Sequence, residues 1–527
     1  EPALTHRVAI QFSGGPVLNP YYDWVPATGA TSGIVTREIV TTETCNSCHD
    51  PLALHGGGRV ETQLCVVCHN ADSSEPNALA SIDFKVMIHK IHRGKDLPSV
   101  IAGTPYQIYG FRDSLHDYSE LGYPRDIRNC SWCHAGTATA SLPGSTANLT
   151  SQGDSWAEVP TMEACGACHD DLDFALHQGG QTDNSGCQSC HNPGGVAGSI
   201  SAAHYPEALA ESGDFSLQIL SLSNTAPGET PVIRFSLTSP NAASAPVDVK
   251  GPVINRLRAA LAWSTSDYTN HDSGSASYSR TDAPTLATDN GDGSWNLTAA
   301  APVPATATGS GMLIFEGRFN GDAELIPLVT EPMYFPITDA TAVPRRQVVS
   351  QQKCNNCHGQ LAAHGGNRTN TEAGCQGCHN PRLASSDKKP LDFKYMIHGI
   401  HAAAYRDTPY SVGNNIFDTT TVHFPGNLSN CTSCHEGNSW QLPLAAGVLA
   451  STWDSGADEA VYSDDVMVSA ASSVCSSCHD SALARTHMEQ NGGDFIATET
   501  SANSESCSIC HGPGRTADIG VIHGLSD

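Results

Sequence analysis

Cys45-Asn-Ser-Cys-His49-Asp-Pro-Leu-Ala-Leu-His55-Gly-Gly is the stretch of this 527-residue sequence that decides the fold. It opens with the pattern Cys-x-x-Cys-His, in which two thiols form thioethers with the vinyl groups of a porphyrin and the histidine becomes an axial ligand of the iron. The pattern occurs ten times and uses all 20 cysteines. The sequence therefore predicts ten covalently bound c-type haems and leaves no cysteine for a disulfide.

The ten motifs define two sets of haem-binding residues. The expected thioether cysteines are Cys45, Cys48, Cys65, Cys68, Cys130, Cys133, Cys165, Cys168, Cys187, Cys190, Cys354, Cys357, Cys375, Cys378, Cys431, Cys434, Cys475, Cys478, Cys507 and Cys510. The expected proximal iron ligands are His49, His69, His134, His169, His191, His358, His379, His435, His479 and His511. Zinc is the alternative cofactor, but it needs unmodified thiolates in groups of four and gives no reason for a histidine after every second cysteine.

The chain is an internal duplication. Residues 354–366 repeat residues 45–57 with Leu-Ala-x-His-Gly-Gly in common, and residues 392–401 repeat residues 83–92 with Asp-Phe-Lys-x-Met-Ile-His-x-Ile-His in common. Five motifs fall in each half. We therefore expect one pentahaem domain at residues 41–206 and a second at residues 346–527, each built from short helices with little other regular secondary structure.

The cysteine-free segment between the two halves, residues 207–345, has a different character. Short alternating apolar runs near 215–220, 232–237, 259–263, 294–298, 312–319 and 332–337 are separated by Gly, Asn, Asp and Ser. This pattern predicts an antiparallel split β-barrel or sandwich of six or seven strands, flanked by the two pentahaem domains of a multihaem cytochrome c. Residues 1–40 hold one strand-like piece, at 7–12, and then a segment rich in Pro and Gly.

Fourteen histidines lie outside the motifs, and the duplication divides them into those with an equivalent in the other half and those without one. Five equivalent pairs are His55/His364, His89/His398, His92/His401, His177/His487 and His204/His523. They supply ten distal ligands for ten irons, although the sequence does not show which iron each one meets. Because His89 and His92 are three residues apart on one helix face, we expect them to serve neighbouring irons. The unpaired residues His6, His116, His271 and His423 are expected at the surface or beside ligands.

This count of histidines separates an electron carrier from a catalyst. Catalysis at haem iron needs a vacant or weakly held axial position for the substrate, and ten proximal plus ten distal histidines leave none. Two nitrogen ligands on each iron favour low reduction potentials and suit outer-sphere electron transfer. We therefore expect an electron carrier without a conventional catalytic residue.

Charge and hydropathy restrict the partners. A formal net charge of -27 argues against nucleic acid or an anionic membrane surface. It favours cationic or metal-bearing partners, or it only keeps an exported protein soluble. The chain has no apolar run of about 18 residues, so no transmembrane helix is expected. The stretch Asp289-Asn-Gly-Asp-Gly293 has carboxylates in a calcium-like arrangement, but it lacks the terminal acidic ligand of an EF-hand and is better interpreted as a strand-connecting turn.

The combination of five motifs, a strand-rich segment and five more motifs resembles the outer-membrane decahaem cytochromes of metal-reducing bacteria, the OmcA/MtrC family. The shared Leu-Ala-x-His-Gly-Gly and Phe-Lys-x-Met-Ile-His-x-Ile-His stretches strengthen the resemblance, which covers residues 35–527. It implies pentahaem domains alternating with split β-barrels and bis-histidine ligation throughout. It also implies that electrons arrive from an outer-membrane conduit or other multihaem cytochromes and leave to metal oxides, chelated metals, flavins or an electrode.

Three departures accompany the resemblance. Family members usually begin with a complete β-barrel domain, often carry a non-haem cysteine pair, and have a lipid-anchoring cysteine, none of which this sequence shows. We expect residues 1–40 to be a remnant of, or a lead-in from, such a β-domain. Covalent haem attachment takes place outside the cytoplasmic membrane, so we expect an exported protein, extracellular or on the outer face of the outer membrane, whose signal peptide has been removed.

Three alternative functions stay open at this point. A multihaem reductase of a small substrate such as nitrite or tetrathionate would need at least one iron without a distal histidine. A subunit of a conductive cytochrome filament would self-associate into regular fibres. A mineral- or flavin-binding module would place its specificity in the β-domain at residues 207–345.

Overall fold

The computed structural model describes residues 1–12, 14–71, 73–239, 243–270, 279–369, 371–458, 461–498 and 505–525. The chain forms two compact units. Unit 1 consists of Glu1–Pro206 with Pro425–Asn427, and unit 2 consists of Glu207–Phe424 with Leu428–Asp527. The finer division into four segments stays a prediction.

Unit 1 is built from short helices and two small hairpins. Its α-helices are α1 (Thr42–His49), α2 (Thr62–Cys68), α3 (Phe84–Arg93), α4 (Pro98–Ile101), α5 (Ser155–Glu158), α6 (Met162–Cys168), α7 (Cys187–Cys190) and α8 (Ile200–Ala203). Its hairpins pair β1 (His6–Ala9) with β2 (Tyr21–Trp24) and β3 (Gln107–Tyr109) with β4 (Leu115–Asp117). Single 3-10 turns lie at Gly94–Asp96, Phe111–Asp113, Cys130–Trp132 and Asn184–Gly186.

Helix α3 shows why these helices start and stop where they do. The side chain of Asp83 caps its first turn by accepting a hydrogen bond from the amide of Lys85. The helix ends at Gly94, whose φ of +45° is unfavourable for other residues. A Cβ atom at Gly94 would also clash with the carbonyl oxygen of Leu121. The cap and the glycine together fix the ten-residue length of the helix that carries His89 and His92.

Unit 2 begins with the β-rich region. It contains α9 (Glu207–Ala210), β5 (Ser216–Ser223), β6 (Val232–Ser239), β7 (Ala245–Pro246), β8 (Ile254–Trp263), β9 (Ser279–Asp282), α10 (Ala283–Leu286), β10 (Thr288–Asp289), β11 (Ser294–Thr298), β12 (Ser310–Asn320), β13 (Leu325–Pro327) and β14 (Met333–Pro336). One five-stranded antiparallel sheet has the order β10-β11-β6-β5, with β7 paired to β6. The other has the order β13-β12-β8-β9, with β14 paired to β12.

The two sheets pack face to face as a sandwich. Phe235 of β6 and Phe315 of β12 are both buried, and their ring centroids lie 4.7 Å apart between the layers. Leu237, Leu257 and Leu297 are fully buried in the same cluster. The sequence predicted an antiparallel split β-barrel or sandwich, and the structure shows the sandwich. The described part has ten strands rather than six or seven, because β7, β9, β10 and β13 are too short or too polar for an apolar pattern to reveal.

The rest of unit 2 repeats the helical pattern of unit 1. Its helices are α11 (Gln351–His358), α12 (Glu372–Cys378), α13 (Phe393–His401), α14 (Ala470–Ser476), α15 (Ala482–Gln490), α16 (Ser508–His511) and α17 (Ile519–Ile522). Its two-stranded sheets pair β15 (Ala362–Ala363) with β16 (Arg368–Thr369), β17 (Tyr410–Val412) with β18 (Asn415–Phe417), and β19 (Ser451–Asp454) with β20 (Val466–Val468). Single 3-10 turns lie at Ala403–Tyr405, Cys431–Ser433 and Tyr462–Asp464.

The N-terminal segment differs from its prediction in one respect. The strand expected at residues 7–12 is present as β1, but it pairs with a second strand, β2, in an antiparallel hairpin. The Pro and Gly residues around Tyr21–Trp24 concealed that strand. Among the described residues, no helix is both long enough and apolar enough to cross a membrane.

Candidate haem-ligand sites

Each Cys-x-x-Cys-His motif occupies a single helical turn. In eight motifs the structure shows the histidine amide donating a hydrogen bond to the carbonyl oxygen of the first cysteine, at 2.7 to 3.0 Å. These histidines are His69, His134, His169, His191, His379, His435, His479 and His511. His49 and His358 are the last residues of α1 and α11. The turn places both thiols and the imidazole of each motif close together, as attachment of one porphyrin requires.

Every motif histidine faces one of the ten histidines predicted as distal ligands. In unit 1 the ring centroids of the facing pairs are His49–His92 at 6.2 Å, His69–His55 at 6.0 Å, His134–His89 at 5.9 Å, His169–His204 at 6.1 Å and His191–His177 at 6.0 Å. In unit 2 they are His358–His401 at 6.2 Å, His379–His364 at 6.0 Å, His435–His398 at 5.9 Å, His479–His523 at 6.1 Å and His511–His487 at 6.0 Å. We number these sites 1 to 10 in the order of their motifs.

The pairing answers a question that the sequence left open. Site by site, unit 2 repeats the pairing of unit 1. His89 and His92 face different motif histidines, those of sites 3 and 1, as the neighbouring-iron prediction expects. Helix α3 thus links two sites, and α13 does the same through His398 and His401.

The spacing of the rings fits an iron between them. A metal ion held by two imidazole nitrogens on opposite sides, each about 2 Å away, separates the ring centroids by about 6 Å. The ten observed separations span only 5.9 to 6.2 Å. Direct packing of two imidazoles does not impose one separation at ten places, so the donor pairs fit the cofactor that the motifs predict.

Hydrogen bonds orient several of these rings with Nε2 free to face a metal. Nδ1 of His69 lies 2.9 Å from the carbonyl oxygen of Ile82, and Nδ1 of His379 makes the equivalent contact, also 2.9 Å, with Leu391. Nδ1 of His204 and of His523 lie 2.9 and 3.0 Å from carbonyl oxygens one turn earlier in their helices. A carbonyl acceptor selects the tautomer with the proton on Nδ1, which leaves the Nε2 lone pair for the iron.

Burial keeps four of the predicted ligand imidazoles neutral. Burial, with smaller contributions from nearby histidines, lowers the pKa of His92 and of His134 to about 4. Burial likewise lowers the pKa of His379 and of His435 to about 4. Only an unprotonated imidazole binds a metal, so these environments favour the ligand form at neutral pH.

In the chain without attached haem, cysteine thiols of different motifs lie close enough to interact electrostatically, which indicates which sites are neighbours in unit 1. Burial first, and then the thiols of Cys133 and Cys65, raise the pKa of Cys45 to about 12. Site 1 therefore adjoins sites 2 and 3. Burial and then Cys168 raise the pKa of Cys130 to about 12, so site 3 adjoins site 4. Burial and then Cys187 raise the pKa of Cys165, so site 4 adjoins site 5.

Unit 2 has the same order of neighbours. Burial and then the neighbouring Cys354 raise the pKa of Cys375 to about 12. The pKa of Cys354 itself is raised to about 11, first by burial and then by Cys434. Site 6 thus adjoins sites 7 and 8. Sites 8 and 9 are connected by Cys431 and Cys478, and sites 9 and 10 by Cys475 and Cys507. These cysteine contacts order the sites as 2-1-3-4-5 in unit 1 and 7-6-8-9-10 in unit 2.

The histidines without a duplicate are exposed where the structure describes them. His6 is exposed, with its ring centroid 5.8 Å from that of Trp24. His116 is exposed and lies 3.2 Å from the hydroxyl of Ser114, and His423 is also exposed. His271 falls outside the described residues.

The calcium-like stretch forms the connecting turn between β10 and β11. Asp289 accepts a hydrogen bond from the amide of Gly291, and Asp292 accepts one from the amide of Ser294. Asp292 also forms an ion pair with Arg234 at 2.6 Å. Within the part of the chain that the structure describes, no group of three or more His, Cys, Asp or Glu residues is arranged to hold a metal ion. The hydrogen bonds of Asp289 and Asp292 are those of the strand-connecting turn that the sequence favoured.

Comparisons with known proteins show the family of the chain. The family model "Outer membrane cytochrome MtrC/MtrF-like, domains II/IV" matches residues 37–205 and 346–524, about two thirds of the chain. The multiheme cytochrome MtrC of Shewanella baltica (strain OS185) is 24% identical over 543 residues, covering 95% of this chain and 73% of the relative. These matches confirm the resemblance to the OmcA/MtrC family.

Two solved structures show the fold. The crystal structure of the outer membrane decaheme cytochrome OmcA has a TM-score of 0.72 and 24% identity, over 99% of this chain and 80% of that chain. The crystal structure of MtrC from Shewanella baltica OS185 has a TM-score of 0.65 and 20% identity, over 97% of this chain and 82% of that chain. The fold class expected from the sequence is therefore confirmed.

Proposed function

Because this chain belongs to the outer membrane cytochrome family described as MtrC/MtrF-like, we propose that it transfers electrons along ten c-type haems to acceptors outside the cell. Each haem is attached by the two cysteines of a motif and ligated by the facing histidine pair of its site. The observation that carries this proposal is the set of ten imidazole pairs with centroids 5.9 to 6.2 Å apart.

The bound haem iron supplies a one-electron redox couple. The chain supplies both axial ligands at every site, so no described site offers a position for a small substrate. Burial lowers the pKa of buried histidines such as His134 and His398, so they stay neutral and would hold the iron through an unprotonated nitrogen. Electron transfer is therefore outer-sphere, and its path follows the two rows of neighbouring sites.

The order of sites supports a conduit rather than isolated carriers. His89 and His92 are held on one helix, so the ligands of sites 3 and 1 cannot move independently. Threonine hydroxyls join the starts of the motif helices of sites 1 and 2, where Thr42 Oγ1 lies 3.2 Å from Thr62 Oγ1. These contacts fix the spacing of neighbouring sites, which governs the rate of transfer between them.

We place the partners of this conduit at the cell surface. Electrons arrive from an outer-membrane conduit or other multihaem cytochromes, and they leave to metal oxides, chelated metals, flavins or an electrode. The family description supports the outer-membrane location. The net charge of -27 favours metal-bearing acceptors over anionic ones. The protein is exported, and it acts on the outer face of the outer membrane or in the extracellular space.

The reductase alternative finds less support. A reductase needs an iron with a single histidine, and every motif histidine in the described residues has a second histidine opposite it. The filament alternative stays a prediction, and electron microscopy of the purified protein tests it. Regular fibres favour the filament, and discrete particles count against it.

Anaerobic stopped-flow reoxidation tests the proposed function. The fully reduced protein is mixed with a ferric chelate or with riboflavin, and haem absorbance is followed with and without cyanide. We expect complete reoxidation of all haems at a rate that is insensitive to cyanide, because cyanide has no iron position to occupy. Inhibition by cyanide, together with saturable turnover of nitrite, would contradict a conduit and indicate a reductase.

A further inference from the structure

Strand β12 of the sandwich supports the turn that presents the distal histidine of site 7. Three consecutive residues make the contact. The amide of Gly317 donates to the carbonyl oxygen of Asn367 at 2.9 Å, and the guanidinium of Arg318 donates to the carbonyl oxygen of Gly365. Glu316, the third residue, accepts two hydrogen bonds from Arg368, at 2.7 and 3.3 Å. The haem-free β-sandwich thus directly holds the hairpin that carries His364.

The Glu316–Arg368 ion pair is buried next to the ligand. The side chain of Glu316 is 3% exposed and that of Arg368 is 13% exposed. Arg368 lies opposite Ala363 in the β15–β16 ladder, so it adjoins His364 in the hairpin. Water screens charges at such a place only weakly, and a single charge there acts strongly on the neighbouring metal site.

The equivalent turn in unit 1 is supported by neutral groups. Arg59, like Arg368, follows its distal histidine by four residues, and it donates from Nε to the amide oxygen of Gln11 at 3.2 Å. The side chain of Asn19 bridges the same turn, donating to Gly58 at 3.1 Å and accepting from Val60 at 2.7 Å. In both halves a side chain outside the turn therefore supports the turn that carries the distal histidine. The group that meets the arginine of this turn is a carboxylate in unit 2 and a neutral amide in unit 1.

We propose that Glu316 lowers the reduction potential of the haem held by His364 and His379, and that it does so from the sandwich rather than from either haem-binding segment. This inference rests on the ligation proposed for site 7. Reduction adds an electron to the iron, and a buried carboxylate nearby disfavours that added negative charge. Glu316 also acts as a positioning residue, because its bond to Arg368 holds the hairpin of His364.

Other charges face site 7 from the elements packed around it. Arg280, Glu372 and Asp392 act electrostatically on residues of this site, and Arg318 contacts its hairpin. These groups are unchanged by a substitution at Glu316. A comparison of variants with the parent protein therefore isolates the effect of the ion pair.

Potentiometric titration of the full ten-haem protein tests the proposal with three variants: Glu316→Gln, Arg368→Gln and the double substitution. We expect Glu316→Gln to shift the reduction equilibrium of one haem in ten about tenfold towards the reduced form, which is 59 mV for one electron. Arg368→Gln should shift the same haem in the opposite direction. The double variant should titrate close to the parent protein. Shifts of opposite sign in the two single variants that cancel in the double variant would indicate that the two side chains act on the haem through their charges.

Shifts of the same sign in both single variants, or no shift in either, would overturn the proposal. If the ion pair only holds the hairpin in place, loss of either partner should disturb the haem site in the same way. Low-temperature EPR of each variant checks that His364 still binds, since a lost ligand adds a high-spin signal. Gln11→Glu provides the matched test in unit 1. It should lower the potential of one haem, by less than Glu316 does, because Gln11 is exposed.

His364→Met separates this inference from the ligation on which it rests. If the titration of His364→Met is identical to that of the parent protein, the ligation proposed for site 7 fails. If His364→Met shifts one haem and Glu316→Gln shifts none, the ligation stands and the role of Glu316 fails.

Discussion

The imidazole rings of His398 and His435 lie almost parallel, with 10° between their planes and 5.9 Å between their centroids. The duplicated pair in unit 1, His89 and His134, has the same separation but an angle of 55°. The orienting hydrogen bonds differ. Nδ1 of His435 lies 3.1 Å from the hydroxyl of Ser439, whereas Nδ1 of His134 lies 3.4 Å from the carbonyl oxygen of Ile39. The duplication thus fixes which histidines meet, and local partners set their angle.

Ser439→Ala should change the electronic structure of one haem. The substitution removes the hydroxyl beside Nδ1 of His435, so the ring can rotate away from its near-parallel setting. In low-temperature EPR, low-spin haems with parallel imidazoles have a more rhombic spectrum than those with perpendicular imidazoles. We expect one such rhombic component to move to a larger maximal g value. Ser439→Thr, which keeps a hydroxyl, is the control, and an unchanged Ser439→Ala spectrum would contradict the assignment.

Removal of one distal histidine should open one site only. In His92→Ala, site 1 loses the ligand that faces His49, so about one tenth of the haem should become high-spin and bind cyanide. His116→Ala is the matched control, because His116 is exposed and lies against Ser114. Optical titration with cyanide measures both. Equal spectra for the two variants would show that His92 is not an axial ligand.

A buried carboxyl group outside the haem sites should make stability depend on pH. Burial first, and then the neighbouring carboxylates Asp464 and Asp454, raise the pKa of Asp465 to about 6. The folded protein therefore binds a proton more tightly than the unfolded chain, and stability falls as pH rises through the interval from about 4 to about 6. Asp465→Asn should remove this loss, on the order of 2 kcal/mol at pH 7, and keep the hydrogen bond from Thr452.

Thermal unfolding of Asp465→Asn and of the parent protein, compared between pH 4 and pH 7, measures this effect. The two curves should converge at low pH and separate as pH rises. A constant difference across the range would mean that Asp465 does not titrate there.

Production without haem attachment should leave the β-sandwich folded and the ligand segments unfolded. In the described part of unit 1 the buried apolar residues are few and mostly small or isolated, namely Leu52, Leu64, Leu97, Tyr106, Ile108, Ala135 and Ala167. The sandwich has a continuous core that includes Phe235, Phe315 and Phe319. Each fully buried Phe or Leu contributes about 1.5 to 3 kcal/mol of hydrophobic stabilisation. Limited proteolysis should therefore leave a fragment near residues 207–345, and uniform digestion would contradict this expectation.

The residue types of the sites were readable from the sequence, but their pairing was not. Covalent chemistry dictates Cys-x-x-Cys-His, and the duplication selected His55 and its counterparts without any structure. Which histidine meets which depends on tertiary contacts between segments far apart in sequence, as between His49 and His92. No periodicity encodes such contacts.

The sandwich shows the same limit. Long apolar strands such as β6 and β12 were predicted, because alternation marks a strand with one buried face. Strand β9 has the sequence Ser-Arg-Thr-Asp and reads as a turn, and only its pairing with β8 makes it a strand. The role proposed for Glu316 was likewise hidden, because nothing in a strand sequence reveals which distant arginine its carboxylate will meet.

The measurement that tests the central claim most directly is low-temperature EPR of the oxidised protein, paired with a pyridine haemochrome count of haem per chain. The histidine pairing predicts ten haems, all low-spin with bis-histidine signatures. A stoichiometric high-spin signal from one intact haem, or a count below ten, would contradict it.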